Sequence, residues 1–357
     1  MKNKHLTCLA GVVLATATGL SLAVPSSSAA VEGGHVVRPG ESIQKAVDAA
    51  RPGDVVVVLP GTYRESVLIT KPGLTLLGTG GRTVIRPGAA AAEAGNACAK
   101  AGSGICVLGA SGKPVDDVSI RSLTVSGFKK NGIWASWTDR LTVRKVTSTN
   151  NGTWGIGQER STRGEFRNNT ARDNGDAGIF LANTVSEEAG ATDTLGAQIR
   201  DNTLTGNRIG VTVRRVRNLT VQDNFMTGNC SGVFVVGDES KPRAGAMTIQ
   251  GNRIVANNKF CPANPRLSAI QGTGIVLTGS EDTTVRSNLI RNNVGSTPLS
   301  GGIVLVKSFV GAPNTGNSIS DNVVVDNRPA DLANRDTGTG NTFVRNQCGT
   351  SVPAGMC

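Results

Sequence analysis

Glu159, Arg214, Arg215 and Asp238 are the charged residues of this 357-residue chain whose types and positions could do chemistry. Two carboxylates held about 5 to 9.5 Å apart across a sugar linkage can hydrolyse it, one as acid and the other as nucleophile or base. Glu159 and Asp238 are candidates for such a pair, with Asp173 and Asp176 as further acids. The neighbouring guanidiniums of Arg214 and Arg215 meet a different demand, positive charge beside an anion that develops in a transition state. Arginines on an exposed strand also serve as solvated charges or ion-pair partners, so both roles stay open. Arg160 and Lys307 add cations near the same face. Histidine chemistry is nearly excluded, because the chain has two histidines, His5 and His35, and one tyrosine, Tyr63, all near its start. That argues against histidine triads, multi-histidine metal sites and tyrosine bases over most of the chain.

What must position these residues is a repeat. Asparagine pairs five apart occur at 169/174, 202/207, 224/229, 252/257, 288/293, 322/327 and 341/346. A short alternating segment follows each pair except the last and is often opened by glycine: GIFL at 178, GVTV at 210, GVFV at 232, GIVL at 274 and GIVL at 302. GIWA at 132 and GIG at 155 are earlier copies. The opening glycines are 23, 23, 32, 22, 42 and 28 residues apart, a base interval near 22 with three intervals lengthened by loops. Runs such as LTVRKV at 141 read as strands. One unit is too small to bury its own apolar face, so units stack and their Ile, Val and Leu side chains form one continuous core. The asparagines read as structural, tolerating a left-handed backbone at sharp corners and bonding to their equivalents one coil away.

Strand alternation aims the side chains. With Ile133, Ile156, Ile179, Val211, Val233, Ile275 and Ile303 inward, the first outward column is Trp134, Gly157, Phe180, Thr212, Phe234, Val276 and Val304. The second is Ser136, Glu159, Ala182, Arg214, Val236, Thr278 and Val306. In a chain with 3% aromatic residues, Trp134, Phe180 and Phe234, with Trp137 and Trp154, suggest a groove that stacks on sugar rings. The alternative is that long loops fold back and bury them. Segments 89–105, 184–197, 237–245, 258–272 and 310–317 break the period and read as those loops.

With these repeats the chain resembles the right-handed parallel β-helix (PbH1-repeat) proteins of the pectin-lyase-like superfamily. Residues 37–69, VRPGESIQKAVDAARPGDVVVVLPGTYRESVLI, resemble the opening segment of many such proteins, where a short helix, here about Ser42 to Ala50, closes the core. The resemblance covers roughly residues 36–346. It implies an all-β fold, a single-stranded right-handed parallel β-helix (solenoid) with a short N-terminal capping helix. Domain limits are a β-helix over 31–357, with an N-terminal cap at about 36–60 and a C-terminal cap at about 328–357. The superfamily is diverse in activity. In its lyases an acidic sugar's carboxylate is neutralised by arginine or calcium, a basic side chain takes the C5 proton, and the 4-linked oxygen leaves. The Asn-Thr-Asp, Asp-Asp and Gly-His elements of polygalacturonases, the Trp-Ile-Asp-His of pectate lyases and the Asp-Pro-His of mannuronan epimerases are missing from this sequence.

Lys2 and Lys4 precede an apolar run, Leu6 to Val24, that ends in small residues, so residues 1–30 read as a secretory signal peptide cut after Ala30. The remainder is expected to be secreted, extracellular, free of the membrane and monomeric. Its basic balance, within a whole-chain charge of +11, favours an acidic polysaccharide or cell-wall glycan and no specific nucleic acid. Six cysteines remain, and the most economical of their fifteen pairings joins Cys98 to Cys106, Cys230 to Cys261 and Cys348 to Cys357. No cofactor is evident, although DNGD at 173–176 could bind calcium weakly. The expected function is that of a carbohydrate-active protein, a lyase or hydrolase of a uronate-type polysaccharide. Glu159, Arg214, Arg215 and Asp238 would be catalytic, and Trp134, Trp137, Phe180, Phe234 and Arg160 would bind substrate. The alternative is a non-catalytic binder of glycan or cell wall; a copper-accessory role is disfavoured by the poverty in histidine.

Overall fold

The structure, a computed structural model, describes residues 34–89, 95–265 and 267–357. The leader expected over residues 1–30 lies outside the described residues. Short strands are laid rung over rung into three parallel sheets of twelve, eleven and eleven strands. Each coil gives one strand to each sheet in turn, as Thr142–Arg144, Thr147–Thr149 and Ile156–Glu159 do. The result is the single-stranded right-handed parallel β-helix that the repeat predicts. Register in the third sheet follows the glycine-led segments. Ile133, Ile156, Ile179, Val211, Val233, Ile275 and Ile303 lie one above another, fully buried. Each such side chain contributes about 2 kcal/mol by leaving water.

Two bends of every coil carry the asparagines. Asn169, Asn202, Asn224, Asn252, Asn288, Asn322 and Asn346 form one ladder, each Nδ2 donating to the next Oδ1 at 2.9 to 3.0 Å. Asn151, Asn174, Asn207, Asn229, Asn257, Asn293 and Asn327 form a second, which ends on Asp331. Two expectations are corrected here. The left-handed residue is the one before each ladder asparagine, for instance Asp201, Asp223, Ser287 and Ala256, so the asparagine itself serves as an amide rung. The pair 341/346 also falls out of step: Asn346 joins the first ladder, whereas Asn341 stacks on Asn317 at a different bend.

The N-terminal end is closed as expected. The helix α1 (Ile43–Ala49) begins at Ser42, whose side chain accepts from the Lys45 amide, and it buries Ile43 and Val47 over the core. Glu65 accepts from the Ile43 and Gln44 amides at 2.7 and 3.0 Å, and Lys71 Nζ donates to carbonyls at the other helix end. Within residues 328–357, Leu332–Arg335, Thr342–Val344, Gln347–Cys348 and Ser351–Val352 continue the three sheets. Within one of the period-breaking segments, Thr192–Arg200 forms a long strand of the first sheet, with a register shift between Asp193 and Ala197. Disulfides join Cys98–Cys106, Cys230–Cys261 and Cys348–Cys357.

Candidate functional site

The outer face of the third sheet carries the candidate residues in the predicted columns. Trp134, Gly157, Phe180, Thr212, Phe234, Val276 and Val304 are register partners, as are Ser136, Glu159, Ala182 and Arg214. The aromatic column is covered over most of its length. Phe180, Phe234, Val276 and Val304 join Trp154, Cys230, Cys261, Ile270 and Leu299 in a second apolar cluster outside the coil. Of the two readings, burial under loops holds for Phe180 and for Phe234, which is fully buried, and neither is an open stacking platform. Loop 258–272, tied to the sheet by Cys230–Cys261, supplies Cys261 and Ile270 to that cover. Trp134 stays half-buried, stacked on Trp154 at 5.2 Å, and Trp154 stacks on Phe180 at 4.1 Å. Gly157 makes this possible, since a Cβ there would stand 2.8 Å from Trp134 and 3.1 Å from Trp154.

The charged candidates are engaged with protein partners. The Arg215 guanidinium is buried against the Asp238 carboxylate, also meets Glu188, and donates to the Glu187 carbonyl at 3.2 Å. Asp238 in turn accepts from the Ser240 amide at 3.0 Å. The two therefore form one ion pair that braces the loops. Glu159 accepts from the Val185 amide at 2.9 Å and bonds the Ser136 hydroxyl at 3.2 Å. Arg214 donates to the Thr184 carbonyl at 2.7 Å. These contacts place Glu159 and Arg214 at the base of the loop that begins at Asn183.

Two cavities lie near these residues, one lined by the loop and the other by Arg214. One is a groove of about 520 Å³ lined by Trp137, Thr138, Arg160, Thr162, Asn183, Thr184 and Glu187 among others. Trp137 and Arg160 occupy left-handed corners on successive coils, φ 53° and 49°, which brings the Arg160 guanidinium 5.5 Å from the Trp137 ring centre. Arg160 also donates to Thr184 Oγ1 at 2.9 Å and pairs with the exposed Glu187 at 3.0 Å. Beside it Asp139 accepts from Arg163 and from Thr162, and chiefly the Arg163 bond holds its carboxyl below the usual range. The second cavity, about 230 Å³, is lined by Phe180, Thr212, Arg214, Phe234, Val236, Leu267 and Phe309 among others. Thr184 lines the larger cavity and is bonded to a residue of each, its hydroxyl accepting from Arg160 and its carbonyl from Arg214.

No group of three or more His, Cys, Asp or Glu side chains that could hold a metal occurs among the described residues. Asp173 lies 3.8 Å from Arg172, and Asp176 lines the smaller cavity, so the DNGD corner gathers no third acid. No helix among the described residues is long and apolar enough to cross a membrane. Sequence reasoning missed Thr184, Glu187, Leu267 and Phe309. All sit on segments without period, where only the break itself is a signal.

Fold and trough define a class: a parallel β-helix whose third sheet is walled by loops. A family model described as right handed beta helix region matches residues 76–192 and 183–308, and the chain belongs to that family. No curated protein matches the sequence. Among solved structures, the chain is similar to the A-module of the mannuronan C-5 epimerase AlgE4 of Azotobacter vinelandii. The identity is 17%, 87% of this chain and 91% of that one are covered, and the TM-score is 0.58. DFA-IIIase from Arthrobacter chlorophenolicus A6 is 15% identical over 89% and 90%, with a TM-score of 0.56. The family 28 exopolygalacturonase of Yersinia enterocolitica is 14% identical over 89% and 77%, with a TM-score of 0.54. At these identities the likeness is one of fold.

Proposed function

We propose that this protein is exported and, as a monomer, binds an acidic polysaccharide in the groove lined by Trp137, Arg160, Asn183 and Thr184. The observation that carries the reading is the Arg160 guanidinium over the Trp137 ring, in a groove with Asn183 and Thr184. An indole face suits the apolar side of a sugar ring, a guanidinium suits its carboxylate, and amide and hydroxyl groups suit its hydroxyls. Two similar structures are named for mannuronan and polygalacturonan, polymers of acidic sugars. Three disulfides fit an oxidising compartment, in keeping with the leader.

Holding the polymer is favoured over cleaving it because Asp238 and Arg215 are buried against each other, whereas the Glu187 partner of Arg160 is exposed and can yield to a sugar carboxylate. Cleavage by β-elimination or hydrolysis is the second reading. It is favoured by Glu159, which directly precedes Arg160 of the groove and bonds the Ser136 hydroxyl. Incubation of the purified protein with alginate and polygalacturonate separates the two. Retention on immobilised polymer with no unsaturated and no new reducing ends supports binding, and either product supports the enzyme. Absence of both retention and product ends the reading.

A further inference from the structure

The smaller cavity differs in chemistry from the groove beside it. Phe180, Ile209, Phe234, Val236, Leu267 and Phe309 give it apolar walls. Its ionisable side chains are already engaged: Arg215 with Asp238, Arg214 with the Thr184 carbonyl, and Asp176 with protein partners. A carboxylate pressed into this space would lose water against hydrocarbon on most sides. For a neutral group that loss costs far less.

Size and shape narrow the occupant. A cavity of about 150 Å³ lined by apolar side chains holds benzene, so about 230 Å³ suits one ring with a short linkage. On three successive rungs the floor runs Phe180, Thr212, Phe234, with strands about 4.8 Å apart. The Thr212 hydroxyl is buried and has no hydrogen-bond partner, which is unusual for a group that valine could replace in shape. Turning about χ1 exchanges that hydroxyl with the methyl group, so it can meet a polar atom in the cavity. At the rim, a tight turn closed by Ser308 and Ala312 leaves Phe309 and Val310 each 60% exposed. An apolar pair held in water at the mouth of an apolar cavity marks a contact surface.

We propose that this cavity receives a neutral aryl ester substituent carried by the polysaccharide, its ring over Thr212 and against Leu267 and Phe309 and its ester oxygen hydrogen-bonded to the Thr212 hydroxyl. The polysaccharide part of this statement rests on the reading above; the cavity part does not.

The test uses small probes and whole polymer side by side. Methyl benzoate, toluene and benzoate are titrated into the protein by calorimetry and saturation-transfer NMR. Methyl benzoate should bind, with benzoate at least tenfold weaker. Thr212→Val should weaken methyl benzoate about fivefold and leave toluene unchanged. Leu267→Trp should fill the space and abolish binding; if that variant fails to fold, Phe309→Ser, which alters only exposed surface, should weaken it. Benzyl-esterified polygalacturonate should be retained more strongly than the unesterified polymer, and the difference should vanish in Leu267→Trp or Phe309→Ser. Failure of methyl benzoate to bind, benzoate binding as tightly, or indifference to Thr212→Val overturns the proposal. Binding of methyl benzoate with retention of neither polymer leaves the cavity assignment standing and removes the polysaccharide. Retention of plain polymer without methyl benzoate binding does the reverse.

Discussion

Arg215 and Asp238 form one buried ion pair, with the guanidinium Nε turned to the carboxylate and both side chains almost wholly out of water. Removing one partner leaves an uncompensated buried charge, which costs about 3 to 5 kcal/mol. Arg215→Met and Asp238→Asn should therefore each lower the melting temperature sharply. The double variant should recover part of the loss. Calorimetric unfolding checks this; full stability of the single variants would mean that the pair does not brace the loops.

The ladders and their corners predict opposite effects at adjacent positions. Asn257 is fully buried, accepts from the Asn229 amide and side chain, and donates to Asn293 and the Met226 carbonyl. Asn257→Ala should cost about 3 kcal/mol, since several buried groups lose partners. Ala256, one residue earlier, holds φ at 51°. Ala256→Gly should stabilise by about 1 kcal/mol by relieving the left-handed strain of a residue with a Cβ. Denaturant titration of the two variants reads both signs.

These corners also show what the sequence makes legible. Period-two alternation behind a leading glycine set the register, because slipping one residue would turn Ile179 or Val233 out of the core. The left-handed position carries no residue signal, since Asp, Asn, Ser, Ala and Gly all fill it while the amide beside it is nearly constant. The fate of Phe234 and the pairing of Arg215 with Asp238 were out of reach. Both depend on how loops 184–197, 237–245 and 258–272 return over the sheet, and those segments carry no period.

Acid should weaken the bend beside the groove. Arg163 and Thr162 hold the Asp139 carboxyl below its ordinary 3.8, so the folded state binds this proton less readily than the unfolded chain. The stabilisation is complete above 3.8 and disappears as pH falls through the depressed folded value. The stability difference between the parent and Asp139→Asn should therefore be constant near neutrality and shrink below that point. A difference that persists unchanged to lower pH would contradict the assignment.

The cystine Cys230–Cys261 closes a loop with a sequence separation of 31 and anchors the wall that carries Leu267. Replacing both cysteines with serine should cost about 4 kcal/mol at most on the loop-entropy account. The coil should survive, because its core clusters separately from this wall. Far-ultraviolet dichroism should be retained while methyl benzoate binding is lost; retained binding would show that the wall stands without the cystine.

The central claim is that Trp137 and Arg160 together hold an acidic sugar. The most direct measurement is calorimetric titration of oligogalacturonates into the parent protein, Trp137→Ala and Arg160→Gln, at low and high salt. The account predicts saturable binding to the parent that weakens with salt, at least tenfold loss in each variant, and no change in product ends. Equal affinity in all three proteins, or no binding to the parent, would contradict it.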